Sequence, residues 1–426
     1  MYINENVTKR KEKEQILEIK QPIQPQERIT ILDVLRGFAI LGILISNMPY
    51  FQSPQLYNNL LIEKVWTHAL DPYIDMLYVV FIQGKFYTLF SFLFGVGFVI
   101  FMSRASQSVE KPKLLLSRRL FILLIIGLIH ALLIWWGDIL VTYAVLGFVL
   151  LLFTKTNPKW LLGIAVGLVA VYNLLIYFLV TVVSELGSES IIPTPTNDFS
   201  IELIRMRDSI LHYGEGTFNE IIMQNINDWL YVSDSGIISG LFLILPMFLL
   251  GSYFGKRNIF GRLNDHAALF KKIWIWSLIA GLPLQMMKLW AYQYINEFTL
   301  SIHSFWYYVG ITIGDPIMCF FYLTSIVILY QRQILKTLWI NISRVGRMAL
   351  SHYLFQSVIC GFIFYNYGLG LYGKLGLGMG FIIALMIYIF QIWFSKFWFG
   401  KYRYGPVEWI WRMLTYGSKI SISRGK

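Results

Sequence analysis

The gaps between the apolar stretches of this chain alternate in charge, and that alternation limits what the chain can fold into more than any single motif does. Ten long apolar stretches can be marked, at 30–50, 86–103, 119–137, 139–154, 160–183, 237–254, 273–293, 304–330, 348–366 and 377–396. Of the 36 Lys and Arg residues, 29 lie in the two tails and in every second gap, six of them in residues 1–28 and seven in 395–426. The other basic gaps are 103–119, 155–159, 255–272 and 331–347. The intervening gaps hold only Lys64, Lys85 at the very start of the next span, Arg205, Arg207 and Lys374, and the longest, 185–236, sets nine Asp and Glu against two Arg. Positive residues near span ends are retained on the cytoplasmic side. An even number of crossings with both termini inside satisfies that rule at every gap.

Composition agrees with this reading. A chain that is 56% hydrophobic and only 14% charged, with a mean hydropathy of +0.58, is too apolar for a soluble domain. The expected fold class is all-α: a polytopic membrane protein of ten transmembrane helices, both termini inside. Residues 72–83 are apolar but too short to cross, so they are expected as one interfacial or re-entrant helix on the outer face. The chain then divides into a cytoplasmic polar tail (1–28), a five-span half (29–184), an acidic extracytoplasmic loop (185–236) and a second five-span half (237–426). The tail lacks the apolar core of a signal peptide and reads as a short helix at most. The net charge of +12 points to the anionic inner leaflet and not to nucleic acid. Cys319 and Cys360 both fall inside apolar spans, which argues against a disulfide framework or a cysteine metal site.

An ionisable residue inside a span is costly, so each is a candidate for function. Asp33 and Arg36 share a helix face at the inner end of the first span, either as a structural ion pair or as an arginine steadied to meet a cytosolic phosphate. Toward the outer face lie Asn47, His68, Lys85 and the pair His130 and Asp138, whose eight-residue spacing sets both loosely on one side. His130 is either a neutral core histidine or a base, His68 is either plain surface or a base, and Lys85 either snorkels to the interface or binds. Arg344, Arg347 and Ser351 fall on one helical face at an inner boundary, as topology signals or as an anion site opposite Arg36. Asp315, near mid-span, calls for a polar cavity or a cation such as Lys288. Pro246, Pro283 and Pro316 should kink their spans, and Gly95 and Gly97 form a small-residue packing pair.

Several of these residues sit in a familiar pattern. Leu32-Asp33-Val34-Leu35-Arg36-Gly37 with Asn47, then Gly84-Lys85-Phe86 to Gly95-Val96-Gly97, then His130 to Gly137-Asp138-Ile139-Leu140, resemble the bacterial YeiB family. The run Gly346-Arg347-Met348-Ala349-Leu350-Ser351, with Gln356-Ser357, Gln391 and Gly405-Pro406-Val407-Glu408-Trp409, is similar to that family's C-terminal domain of unknown function. The opening pattern of Asp33, Arg36, Gly37 and Asn47 resembles, more distantly, heparan-alpha-glucosaminide N-acetyltransferase and the transmembrane acyltransferase superfamily. That resemblance implies transfer of an acyl group from a cytosolic thioester donor to a sugar on the far side. It also implies a catalytic histidine shortly after Asn47, a place only His68 matches, at a longer spacing.

The function expected on these grounds is acyl transfer from an acyl-CoA donor to an envelope glycan or lipid-linked sugar, in the bacterial plasma membrane. Arg36, Arg344 and Arg347 would hold the donor's phosphates, Asn47 would polarise the acyl carbonyl, and His130 or His68 would serve as base with Asp138 orienting it. Membrane lipids are the expected surroundings, a homodimer is left open, and no metal is called for. The rival expectation is a proton-coupled transporter or flippase in which Asp315, His130 and Asp138 carry protons. A membrane partner subunit without chemistry is the third class.

Overall fold

The computed structural model describes residues 29–58, 68–186, 195–295 and 301–423; the expected tail 1–28 and Lys64 lie outside the described residues. Among the described residues, regular secondary structure is all helical. Eight helices are long and apolar enough to cross a membrane, and two shorter ones, Leu140–Phe153 and Ala349–Phe364, take the places of the remaining apolar stretches. This is an all-α polytopic membrane protein.

In chain order the first half comprises α1 (Thr30–Gln52), α2 (Asp71–Phe81), α3 (Lys85–Ser108), α4 (Pro112–Leu133), α5 (Leu140–Leu150) and α6 (Pro158–Leu186). The acidic segment supplies α7 (Pro195–Glu215) and α8 (Phe218–Leu243). The second half follows as α9 (Leu245–Lys256), α10 (Ala267–Tyr292), α11 (Ile302–Val309), α12 (Asp315–Gln331), α13 (Lys336–Arg347), α14 (Ala349–Phe364), α15 (Leu377–Lys401) and α16 (Pro406–Tyr416).

Helix α1 is central and α6 peripheral: 67% of the most apolar window of α1 is buried inside the protein, against 11% for α6. Leu174 and Phe178 of α6 stand exposed, as lipid-facing side chains should. Small residues explain how α1 gains its neighbours. A Cβ on Gly37 would overlap the Ile342 carbonyl, and one on Gly346 would overlap the Asp33 carbonyl, so α1 and α13 touch backbone to backbone. Gly95 meets the Phe248 carbonyl and Gly251 the Phe92 carbonyl in the same manner, which locks α3 to α9.

Three of the helix breaks fall where the chain carries Gly or Pro. Gly84, at φ +88°, separates α2 from α3 in a left-handed conformation that a side chain would strain. Pro246 opens α9 just after the break at Ile244, and Pro316 follows a π-helical turn over Gly310–Gly314. Pro283 stays inside a continuous α10. One expectation needs correction: Arg344, Arg347 and Ser351 do not share a helical face. The backbone turns at Met348 (φ −114°, ψ 29°), so the two arginines close α13 while Ser351 opens α14.

The acidic segment is largely helical. A capping box between Thr217 and Glu220 starts α8, satisfying two otherwise unpaired amides. Asp228 of α8 accepts hydrogen bonds from Tyr57 (2.6 Å), Tyr213 (2.8 Å) and Gln224 (2.6 Å), and burial pushes its carboxyl up against the pull of these donors. Asn225 donates to the Ala131 carbonyl at 2.7 Å, seating α8 on the end of α4 next to His130.

Candidate functional site

The close crossing of α1 and α13 at Gly37 and Gly346 places their sequence neighbours Arg36 and Arg347 at one mouth. Behind that mouth lies a cavity of about 280 Å³. Five of its described lining residues are arginines, Arg36, Arg104, Arg119, Arg347 and Arg412, joined by Asp33 and Glu408. All seven belong to segments that the charge pattern puts inside. Arg36 donates to Asp33 at 2.8 Å, Arg119 stacks 3.7 Å over the Trp411 ring, and Arg347 lies 3.9 Å over Phe399. Stacking and pairing hold these guanidinium planes in place at little further entropic cost. Deeper walls are apolar, including Leu93, Phe94, Leu120 and Leu123, and the deep end is closed by Ile139, Leu140 and Tyr353. An apolar chamber with a cationic mouth suits an amphiphile whose head is anionic.

Beyond Tyr353 the side chains of His130 and Asp138 are fully buried. His130 Nδ1 lies 2.8 Å from Asp138 Oδ1, and Nε2 lies 2.8 Å from Ser357 Oγ. The second Asp138 oxygen accepts the Val141 amide at 2.7 Å, which fixes the carboxylate at the start of α5. A carboxylate accepts, so Nδ1 carries the proton and Nε2 is left to accept the serine hydroxyl. The Tyr353 ring centre is 5.1 Å from that of His130, and its hydroxyl is held by two long contacts, 3.4 Å each, to Gly137 and Ile139. Tyr353 is thus the partition between the cavity and the buried chain of polar groups.

A second polar cluster lies among α3, α10 and α12. Asp315 receives Lys85 at 2.8 Å and Lys288 at 2.9 Å, with Gln285 donating at 3.0 Å. Lys85 also donates to the carbonyls of Val79 and Gln83 and to Gln285. The left-handed Gly84 leaves room for the Asp315 carboxylate, which a Cβ would displace. Lys85 therefore does not snorkel; it is fully buried.

Of the residues singled out in the sequence, Asp33, Arg36 and Arg347 line the cavity, while Arg344 pairs with Asn341 at 2.8 Å and does not. Ser351 donates to Glu408 and accepts from the Val407 amide at 3.0 Å, tying α14 to α16, and it is outside the cavity lining. Glu408 also accepts the Leu350 and Ser351 amides, so it serves as the missing N-terminal cap of α14. Asn47 and His68 are outside the lining, His68 on an exposed turn. Sequence reasoning missed Arg104, Arg119, Arg412, Glu408 and Ser357. The arginines sit in basic gaps where topology alone accounts for them, and a serine in an apolar helix ordinarily bonds its own preceding turn.

Fold and site define a polytopic helical membrane protein with an arginine-mouthed internal cavity. Residues 254–418 match the family described as "Protein of unknown function (DUF418)". Among similar proteins, "Uncharacterized protein YxaH" of Bacillus subtilis (strain 168) is 38% identical over 93% of this chain and 96% of its own. An "Uncharacterized 39.9 kDa protein in amylase 3'region" of Bacillus acidopullulyticus is 27% identical over 94% and 97%, and "Uncharacterized protein YeiB" of Escherichia coli (strain K12) is 26% identical over 91% and 96%. The chain belongs to this YeiB-like family of bacterial multi-pass membrane proteins.

Proposed function

We propose that the protein is an acyltransferase of the bacterial plasma membrane, taking an acyl group from a cytosolic acyl-CoA-type donor and delivering it to an extracytoplasmic glycan or lipid-linked sugar. The observation that carries this reading is the cavity's polarity: cytoplasmic arginines at the mouth, apolar walls behind, and a histidine with its carboxylate just past the deep end. Arg36 and Arg347 hold the donor's phosphates, the apolar walls hold the acyl chain, and His130 serves as general base with Asp138 fixing its tautomer. The reading gives Asn47 and His68 no role, because neither lines the cavity nor belongs to the His130–Asp138–Ser357 hydrogen-bonded group beyond its deep end.

The test is release of the coenzyme A thiol from acetyl-CoA and from a fatty-acyl-CoA by protein in nanodiscs, with and without an envelope glycan extract. The reading expects release that rises with acceptor and is lost in His130→Gln. No release from any donor under either condition overturns it. A second reading, a proton-coupled transporter, is favoured by the buried Lys85–Asp315–Lys288 cluster. Proton-driven uptake into liposomes without thiol release would select that reading instead.

A further inference from the structure

We propose that Ser357 is a covalent nucleophile that carries the acyl group between the two faces of the membrane. For its donor the inference rests on the acyltransferase reading; for the nucleophile it rests on geometry alone. Ser357 Oγ, His130 and Asp138 form one hydrogen-bonded chain of 2.8 Å links, with both carboxylate oxygens and both ring nitrogens occupied. That is the arrangement in which an imidazole takes a serine proton while a carboxylate stabilises the imidazolium. The molecule contains its own contrast. His352 and Ser395 are also buried and lie 2.7 Å apart, yet no carboxylate among the described residues meets the other nitrogen of His352.

Position supports the role. Ser357 stands midway along α14, about 12 Å of helical rise from its first residue and about 10 Å from its last. Tyr353, one turn nearer the inner end, is the cavity's partition, and its hydroxyl makes only two contacts, each at 3.4 Å. Trp135 packs 6.4 Å from His130, and its buried indole N–H has no hydrogen-bond partner among the described residues. Under the proposal the donor comes from the cavity past Tyr353 and the acceptor past Trp135, so the two react in turn without meeting.

The steps balance. Ser357 Oγ attacks the thioester carbonyl carbon as its proton passes to His130 Nε2; the C–S bond breaks, and the thiolate leaves with that proton as free thiol. An acceptor hydroxyl or amine then loses its proton to His130 and attacks the acyl-serine ester. The C–O bond breaks, Ser357 Oγ recovers the proton, and no oxidant, reductant or metal takes part.

The experiment treats the full-length protein in nanodiscs with an alkyl fluorophosphonate and maps the adducts by peptide mass spectrometry. The expected result is labelling of Ser357 and not of Ser395, slowed by about 10²–10⁴-fold in His130→Gln, the span of a general-base contribution. Ser357→Ala loses the label. If Ser357→Ala does not fold, Ser357→Cys, which keeps a nucleophile of similar size, is expected to form the acyl adduct from acetyl-CoA. Absence of label on Ser357, or equal rates in wild type and His130→Gln, overturns the proposal. Exchange of isotopically labelled coenzyme A into acyl-CoA without acceptor separates the two claims. Transfer without exchange overturns the covalent step and leaves the acyltransferase reading standing. Serine labelling without thiol release from any donor supports the nucleophile and overturns that reading.

Discussion

Asp315 is the residue on which the buried cation cluster depends, and Asp315→Asn tests how. The carboxylate is the one acid in contact with Lys85 and Lys288 among the described residues, at 2.8 and 2.9 Å, with all three side chains essentially unexposed. Asparagine keeps the volume and a carbonyl for Gln285, so the substitution removes charge and little else. Taking one partner from a buried ion pair leaves an uncompensated charge and costs about 3–5 kcal/mol. That is roughly a 10²–10⁴-fold loss in the folding equilibrium. Removing one of the two stranded ammonium groups should return part of the loss, so Asp315→Asn with Lys288→Met is expected to be more stable than Asp315→Asn alone. The assay is reversible unfolding in mixed micelles, followed by tryptophan fluorescence. A loss under about 1 kcal/mol, or a double variant less stable than the single one, would refute the electrostatic account.

Three further outcomes follow from the same structure. Arg36→Gln and Arg347→Gln should each weaken acyl-CoA binding by about 1.5–3 kcal/mol, the range for a charged hydrogen bond, while Arg344→Gln, outside the lining, leaves it unchanged in calorimetry. Burial pushes the Glu408 carboxyl up despite its bonds from Ser351 and Leu350, so its protonated form is favoured by folding. That contribution is full below the ordinary carboxyl range and is lost as pH rises through the raised value; thermal unfolding should show the decline, and Glu408→Gln should remove it. Both native cysteines are buried, so an impermeant maleimide reports on introduced ones: Phe218→Cys should react from outside and Arg257→Cys should not. The reverse pattern would invert the membrane and every sided role above.

Much of the fold was legible in the sequence because bilayer physics writes it in long, repeated signals. Ten apolar stretches and alternating basic gaps needed no tertiary information, and the eight long helices with two shorter ones fall on those stretches. The site was legible only where both partners lie close in the chain or where a burial cost demanded one. Asp33 with Arg36 and His130 with Asp138 are of the first kind, and Asp315 with Lys288 is of the second. Lys85 joins that last pair through a left-handed Gly84 that periodicity does not reveal. The arginine mouth draws on α1, α3, α4, α13 and α16, so it exists only after packing. Arg344 was assigned to it on its spacing from Arg347, which α13 keeps, but its side chain pairs with Asn341 instead, and the break at Met348 removes Ser351 from the shared face.

Photo-crosslinking with a fatty-acyl-CoA bearing a diazirine in its chain shows where the acyl chain lies. Adducts are expected on cavity walls such as Leu93, Phe94, Leu120 and Tyr143, displaced by unlabelled acyl-CoA and reduced in Arg36→Gln and Arg347→Gln. Adducts confined to lipid-facing positions such as Leu174 and Phe178, indifferent to competitor and to either arginine, would contradict the acyltransferase reading.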